Sequence, residues 1–331
     1  MIIETGKKLG RDFSIEKLFE SGYKAIYLAT GAHKSIKLAI PNEDAVGVIP
    51  AMHFLNKMHQ GEKMNLGKIV AVVGGGNSAV DAARVAQRLP EVDKVIIIYR
   101  RTRAEMPAYE EEIESALEEG IDIRFLTTPT QVITKDTQVV GIECVKMELG
   151  SFDESGRRRP IPIKGSEYEI KINTLIQAVS EQPDLSCLGK DHDFNTSGWN
   201  TLVVDHETLA TNIPGVFAGG DVTRGPNTVI EAMADGKKAA LSIDKFIRGD
   251  KTEITYEVTR PSIYVEFAQL NIEELLEASR PKANKLPTPS RKKNFKEVSI
   301  KLDKKTAIQE AKRCLRCDLE VRHEDDTKEK K

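Results

Sequence analysis

The spacing of apolar positions switches repeatedly between two rhythms along the first half of the chain. The stretch "FSIEKLFESG" reads as a helix, with Ser14 placed to cap it and Gly22 to end it, and "YKAIYLATG" reads as the strand that follows. The same order recurs in "KIVAVVGGG" (strand and turn), "NSAVDAARVAQRL" (helix), "KVIIIYRR" (strand), "AYEEEIESALEEG" (helix) and "IDIRFL" (strand). Strands alternating with helices predict an α/β fold built on a parallel sheet with crossover helices. From about residue 131 to 172 the rhythm changes to short extended pieces around the polar "GSFDESGRRRPIP", which predicts hairpins on the edge of the same domain. The arginines at 157–159 are read there as a solvated hairpin tip rather than a binding patch. A further strand, "TLIQAVS", precedes a strand, a loop and a long helix in "GVFAGGDVTRGPNTVIEAMADGKKAALSIDKFI". Beyond about residue 250 the chain is rich in Pro, Lys and Glu. It is read as an extended C-terminal tail that closes with the helix "DKKTAIQEAKRCLRC", before residues 321–331, which are expected to be disordered.

Composition narrows the class without naming a function. A chain of 331 residues, 40% hydrophobic and 30% charged, has enough apolar material for about two domains. The formal net charge of -2 offers no global field for nucleic acid or an anionic membrane, and the longest apolar runs are too short to span a bilayer. Charged residues from Glu4 to Asp12 interrupt any signal-like segment, so a cytoplasmic protein is expected.

The glycine triplet in "VVGGGNSAVDAARVAQRL" carries the first candidate chemistry. Gly74, Gly76 and Ala79 fit G-x-G-x-x-G/A in its required setting, after a strand and opening a helix. Gly74 serves a tight turn, Gly76 lets backbone approach a pyrophosphate, and Ala79 keeps helix close to strand. The phosphates would lie on the helix N-terminus at Asn77 and Ser78. The next strand ends in Arg100, Arg101, Thr102 and Arg103, where an NAD site would carry a carboxylate for the ribose 2'-hydroxyl. Guanidinium groups bind a 2'-phosphate instead, so the expected cofactor is NADPH, with Arg100 and Arg101 reading the phosphate.

A second constellation follows near residue 220. Gly219, Gly220 and Asp221 end a small-residue strand, and a helix is expected to start near Asn227 or Thr228. Asp221 can hold a sugar-like hydroxyl while the helix start at Thr228 and Val229 aims backbone N–H groups at an electron-rich ring. This stretch resembles the second FAD motif of flavoproteins with two dinucleotide-binding domains. "YLATGA", with Thr30 and Gly31, resembles their link between the FAD domain and an inserted NAD(P)H domain. "YRRTRAEMPAYEEEI" narrows the resemblance to the group containing the glutamate synthase small subunit, within the pyridine nucleotide-disulfide oxidoreductase-like superfamily.

That resemblance implies a Rossmann-like flavoprotein fold with two dinucleotide-binding domains. A partial FAD-binding domain would comprise residues 1–62 and 174–250, an NADPH-binding domain 63–173 would be inserted in it, and a tail would cover 251–331. It implies a subunit that passes hydride between NADP(H) and FAD, and electrons onward to an iron–sulfur partner. No side-chain acid or base is required, because the cofactors carry the chemistry. The fold is expected to be N-terminally incomplete, since this group's first fingerprint, for the ADP half of FAD, has no counterpart in the sequence. FAD would then be shared with another polypeptide supplying that half, and a ferredoxin-like or other redox subunit would exchange electrons with it. The other reading is a non-catalytic NADPH-binding or scaffolding subunit, or a fragment, without flavin chemistry. A second departure from the group is Ser180, where the group usually carries Gly.

Four cysteines in a chain this long make no disulfide framework. Cys144 and Cys187 lie in apolar settings and read as core. Cys314 and Cys317, in "EAKRCLRCDLE", resemble the opening of cluster-binding segments in the same group and could clip half of a four-cysteine iron–sulfur or zinc site. A helical pair of free thiols or a redox pair is the other reading. A stand-alone hydroxyl dehydrogenase finds no support: there is no Tyr-x-x-x-Lys pair, and the six histidines are scattered.

Overall fold

In the computed structural model, residues 2–153, 156–189, 192–250, 279–281 and 283–314 are described. The chain divides into two units, Met1–Thr255 and Tyr256–Lys331. The first opens with α1 (Ile15–Glu20), β1 (Ile26–Leu28), β2 (Lys34–Ser35), β3 (Val48–Pro50) and α2 (Ala51–His59). Then come β4 (Ile69–Val73), α3 (Asn77–Gln87), β5 (Lys94–Ile98), α4 (Glu110–Glu118) and β6 (Asp122–Arg124). Four longer or antiparallel strands follow: β7 (Thr127–Lys135), β8 (Gln138–Phe152), β9 (Arg158–Pro162) and β10 (Tyr168–Lys171). The unit closes with β11 (Thr174–Gln177), β12 (Glu181–Gln182), β13 (Val216–Ala218), α5 (Asp221–Arg224) and α6 (Val229–Arg248). In the second unit the described residues form α7 (Thr288–Arg291) and α8 (Lys304–Lys312), with a bridge between Lys285 and Ser299.

A five-stranded parallel sheet in the order β3-β11-β4-β5-β6 organises the first unit. Its two middle strands read "IVAVV" and "KVIII", continuous apolar runs without alternation, because both faces are buried. Val70, Val72, Val95 and Ile97 face a core with α2, α3 and α4. Ala71, Val73, Ile96 and Ile98 face a second core with Val132, Ile142, Cys144 and Ile170. The antiparallel sheet β10-β8-β7, with β9 paired to β8, therefore packs on one face of the parallel sheet, against β11, β4 and β5. The sequence placed these hairpins on the edge. Their short inward apolar positions show only that one face is buried, and which surface they meet is decided by packing. The parallel sheet also takes in Val48–Pro50 and Thr174–Gln177, and so extends beyond 63–173 at both ends.

Helix boundaries follow their local signals. Ser14 caps α1 by accepting from the Lys17 N–H, and Gly22 follows its end at φ +95°. Ala79, Ala82, Ala83 and Ala86 line the inner face of α3, and their small side chains let the helix lie close on the sheet. The α3–α4 contact is fixed by Glu119, fully buried and paired at 2.9 Å with both Arg84 and Arg88. The strand pair β1–β13 lies outside the large sheet, joined in parallel from Ile26↔Val216 to Leu28↔Ala218. Antiparallel β2–β12 holds the two connecting segments together.

Candidate dinucleotide and flavin sites

The glycine loop leaves the C-terminal end of β4 and enters α3, as the sequence predicts. Its three glycines have different reasons. A Cβ on Gly74 would lie 2.1 Å from the Ala178 carbonyl oxygen, and its φ of +149° disfavours any side chain. A Cβ on Gly75 would lie 2.3 Å from the Tyr99 ring. Gly76 has an ordinary φ of -86° and nothing within 4 Å of the position its Cβ would take. Neither strain nor protein contact explains glycine there, and the space above it is open. Gly76 is the N-cap of α3 and supplies no side-chain bond, so the first turn keeps its N–H donors at Asn77 and Ser78. The Asn77 side chain accepts from the Tyr109 N–H at 3.0 Å, fixing the helix start against the segment before α4. Buried Ala79 packs under the loop. This cradle fits a dinucleotide pyrophosphate.

At the end of β5 the two arginines take different positions. Arg101 is buried: its Nη2 pairs with Asp153 at 2.7 Å and its Nε donates to the Arg158 carbonyl at 2.8 Å. Arg103 pairs with Glu110 and, at 3.9 Å, with Glu114. Arg100 is exposed and, among the described residues, forms no ion pair. Although the residue reaches solvent, desolvation by the protein around it, and then the nearby charge of Arg101, push its pKa down.

The second constellation lines a cavity of about 250 Å³. Gly31, Gly220, Asp221, Thr228 and Val229 meet there with Tyr27 and Ala232, whereas Thr30 is exposed beside it and does not line it. Gly219 is excluded from bearing a side chain by the Tyr27 hydroxyl, 2.2 Å from the position of its Cβ, and Gly220 by its φ of +71°. Asp221 opens the short helix α5, where the sequence predicted a loop, and its Oδ1 accepts from the Asn227 N–H at 3.2 Å. Helix α6 begins at Val229, with Thr228 and Glu231 forming a capping box. The box uses the N–H groups of Thr228 and Glu231, and Val229, the next residue of the helix, lines the cavity. A hydroxyl acceptor beside a helix N-terminus fits part of a flavin with its ribityl chain.

The profile of the pyridine nucleotide-disulphide oxidoreductase family matches residues 3–236, most of the first unit. The chain belongs to this family. It is 39% identical over 322 residues to the NADP(+)-dependent formate dehydrogenase subunit beta of Moorella thermoacetica, a match covering 95% of this chain and 45% of that one. It is 34% identical over 254 residues to the glutamate synthase [NADPH] small chain of Azospirillum brasilense, covering 73% and 52%. The resemblance to the glutamate synthase group therefore stands, and the chain spans about half the length of these relatives. The structure of Mycobacterium tuberculosis FprA in complex with NADPH superposes with a TM-score of 0.60 at 20% identity, over 72% of this chain and 66% of that one, so the two share a Rossmann-like fold.

Asp235 and Arg224, and the lining residues Tyr27, Ala29 and Ala232, were not singled out by the sequence reading. Buried Asp235, inside α6, accepts from the Gly220 N–H at 2.9 Å and pairs with Arg224 at 2.7 Å, which pins the glycine corner to the helix. Only the tertiary contact marks Asp235, since in sequence it is one polar position of an amphipathic helix. Ser180 accepts from the Ile36 N–H through its carbonyl and has no left-handed backbone that would call for glycine. Cys144 is fully buried, and burial pushes its thiol up to about 12, as befits a core residue. Cys187 is half-buried, its Sγ 3.6 Å from the Asp184 carbonyl. Cys314 is exposed just beyond α8, and Cys317 lies outside the described residues. Among the described residues no three metal-ligating side chains cluster, so these residues alone do not fit a complete cluster site. No helix among them is long and apolar enough to cross a membrane.

Proposed function

We propose that this chain is the NADP(H)-binding part of a flavin-dependent oxidoreductase, and that it works in a complex with a polypeptide completing the FAD site and the iron–sulfur ligands. The observation that carries the reading is the open space at Gly76 above an uncapped helix start, followed by exposed Arg100 at the next strand end. Gly76 and the N–H groups of Asn77 and Ser78 bind the pyrophosphate, and Arg100 favours a 2'-phosphate over a 2'-hydroxyl. The five-stranded sheet supports this half. Residues 1–62 and 174–250, outside the strands they lend to that sheet, build the flavin-type half. There Asp221 accepts a hydroxyl, and the α6 N-terminus stabilises negative charge on the ring edge next to it. When bound, FAD supplies the hydride exchange with the nicotinamide and single-electron release to an iron–sulfur acceptor. The chain itself orients the two cofactors through β2 and β12 and the glycine corners at Gly31 and Gly220. Two features support a partner. Among the described residues β1 pairs with β13 alone, and the relatives named above are called a subunit beta and a small chain.

The test is the absorption spectrum, with subunit masses, of the tagged full chain purified from its native host. A yellow-brown complex containing a second polypeptide and bleached by NADPH is expected. A colourless lone chain that binds NADPH would overturn the redox assignment and leave a nucleotide-binding subunit.

A further inference from the structure

Four polar side chains line the cavity at the start of α6, those of Tyr27, Asp221, Asn227 and Thr228. Three of them are tied to the helix start. Asp221 Oδ1 accepts from the Asn227 N–H at 3.2 Å, Asn227 Oδ1 accepts from the Thr228 N–H at 2.8 Å, and the Thr228 hydroxyl donates to Glu231 Oε2 at 2.7 Å. The Tyr27 hydroxyl alone makes no hydrogen bond among the described residues. Tyr27 is the middle residue of β1, opposite Phe217 of β13. Its neighbours Ile26 and Leu28 pack into the core with Val216 and Ala218, so the alternation of a strand turns the Tyr27 ring to the other face, toward α6. There the hydroxyl stands 2.2 Å from where a Cβ on Gly219 would lie, and Asp235 Cβ stands 2.9 Å from the same point. Asp235 does not need the phenol, because the Gly220 N–H and the Arg224 guanidinium already occupy its two oxygens. Burial, and then the charge of Asp235, push the Tyr27 pKa above its ordinary value, so at neutral pH the group is a donor.

We propose that Tyr27 is a flavin-binding residue whose hydroxyl donates a hydrogen bond to an acceptor on the riboflavin half of FAD, while Asp221 accepts from a ribityl hydroxyl. This rests on the flavin reading above. The chain carries one G-x-G-x-x-G/A fingerprint, from Gly74 to Ala79, and it belongs to the other site, so the half of FAD seated against Asp221 and Tyr27 is the one with the ring and the ribityl chain. A half-buried phenol without a protein acceptor gives up hydration and gains no bond, whereas phenylalanine would pack at the same strand position without that cost. An acceptor on the ligand restores the bond. Gly219 serves the same end, since any side chain there would displace the hydroxyl from the cavity wall.

The experiment strips flavin from the complex purified on the tagged full chain and measures binding of FAD, riboflavin and NADPH by equilibrium dialysis. The native complex is expected to take all three. Tyr27→Phe should weaken FAD and riboflavin by the same factor, about fivefold, as for one neutral hydrogen bond, and leave NADPH unchanged. Its unfolding free energy without flavin should not fall, because no bond within the protein is lost, whereas a merely structural hydroxyl would give a fall there. If Tyr27→Phe leaves both flavins unchanged, weakens FAD alone or lowers the flavin-free stability, or if the native complex takes FAD but not riboflavin, the Tyr27 inference falls and the flavin reading stands. If the native complex binds neither flavin, the flavin reading itself falls and takes this inference with it.

Discussion

At the residue scale, adjacent identical residues have unrelated reasons. Gly75 is small because Tyr99 occupies its Cβ position, whereas Gly76 is small with nothing beside it. Gly75→Val should therefore cost about 1–3 kcal/mol of stability through overpacking. Gly76→Val should cost less than about 1 kcal/mol, the scale of an N-cap change, yet abolish NADPH binding. Denaturant unfolding and nucleotide titration of both variants check this, and loss of stability rather than of binding in Gly76→Val would count against the cradle. Cys144 yields a pH prediction. Its folded pKa of about 12 lies above the ordinary 9.0, so the native state holds its proton more tightly. This contribution is complete below about pH 9 and is lost as pH rises from there toward 12, by about 1 kcal/mol at pH 10. Cys144→Ala should flatten that decline when unfolding free energies are compared at pH 8 and pH 10.

At the element scale, what matters is how a loop is tied to a helix. Arg224, and then the Gly220 N–H, hold the Asp235 carboxyl below the usual range. Its stabilising contribution is present above the ordinary carboxylate pKa and is lost as pH falls through the lowered value. Asp235→Ala should cost about 2 kcal/mol at neutral pH, a typical figure for hydrogen bonds to a charged group, and should shift the acid side of the stability profile. Hydrogen exchange should show the Gly220 amide losing protection while β4 keeps its own. The motif that opens this loop was legible in the sequence, as was the start of α6, because caps and small residues act within a few positions. Asp235 and Asp153 were not, since their partners lie 15 and 52 residues away. Helix α2 also escaped notice: Pro50 caps it without a side-chain bond, and no polar start signal marks it.

For the whole molecule, the surface of α6 carries the prediction. Val229, Ile230, Met233, Leu241, Phe246 and Ile247 are all exposed, far more apolar surface than a solvated helix usually presents. On the proposed function, the polypeptide that completes the FAD site covers it. Leu241→Lys with Ile247→Lys, both away from the cavity, should leave NADPH affinity unchanged and release the partner and the flavin during purification. Retention of both would remove this face from the interface. The sequence by itself determined the order of strands and helices, the glycine fingerprint and the basic end of β5, because these depend on neighbours within a turn or a pleat. Tertiary structure alone decided that the antiparallel strands pack on a face of the parallel sheet, that Arg101 is buried and Arg100 exposed, and that the distant Asp153 pairs with Arg101. Side-chain pairing across long sequence separations depends on which surfaces meet, and no local pattern encodes that.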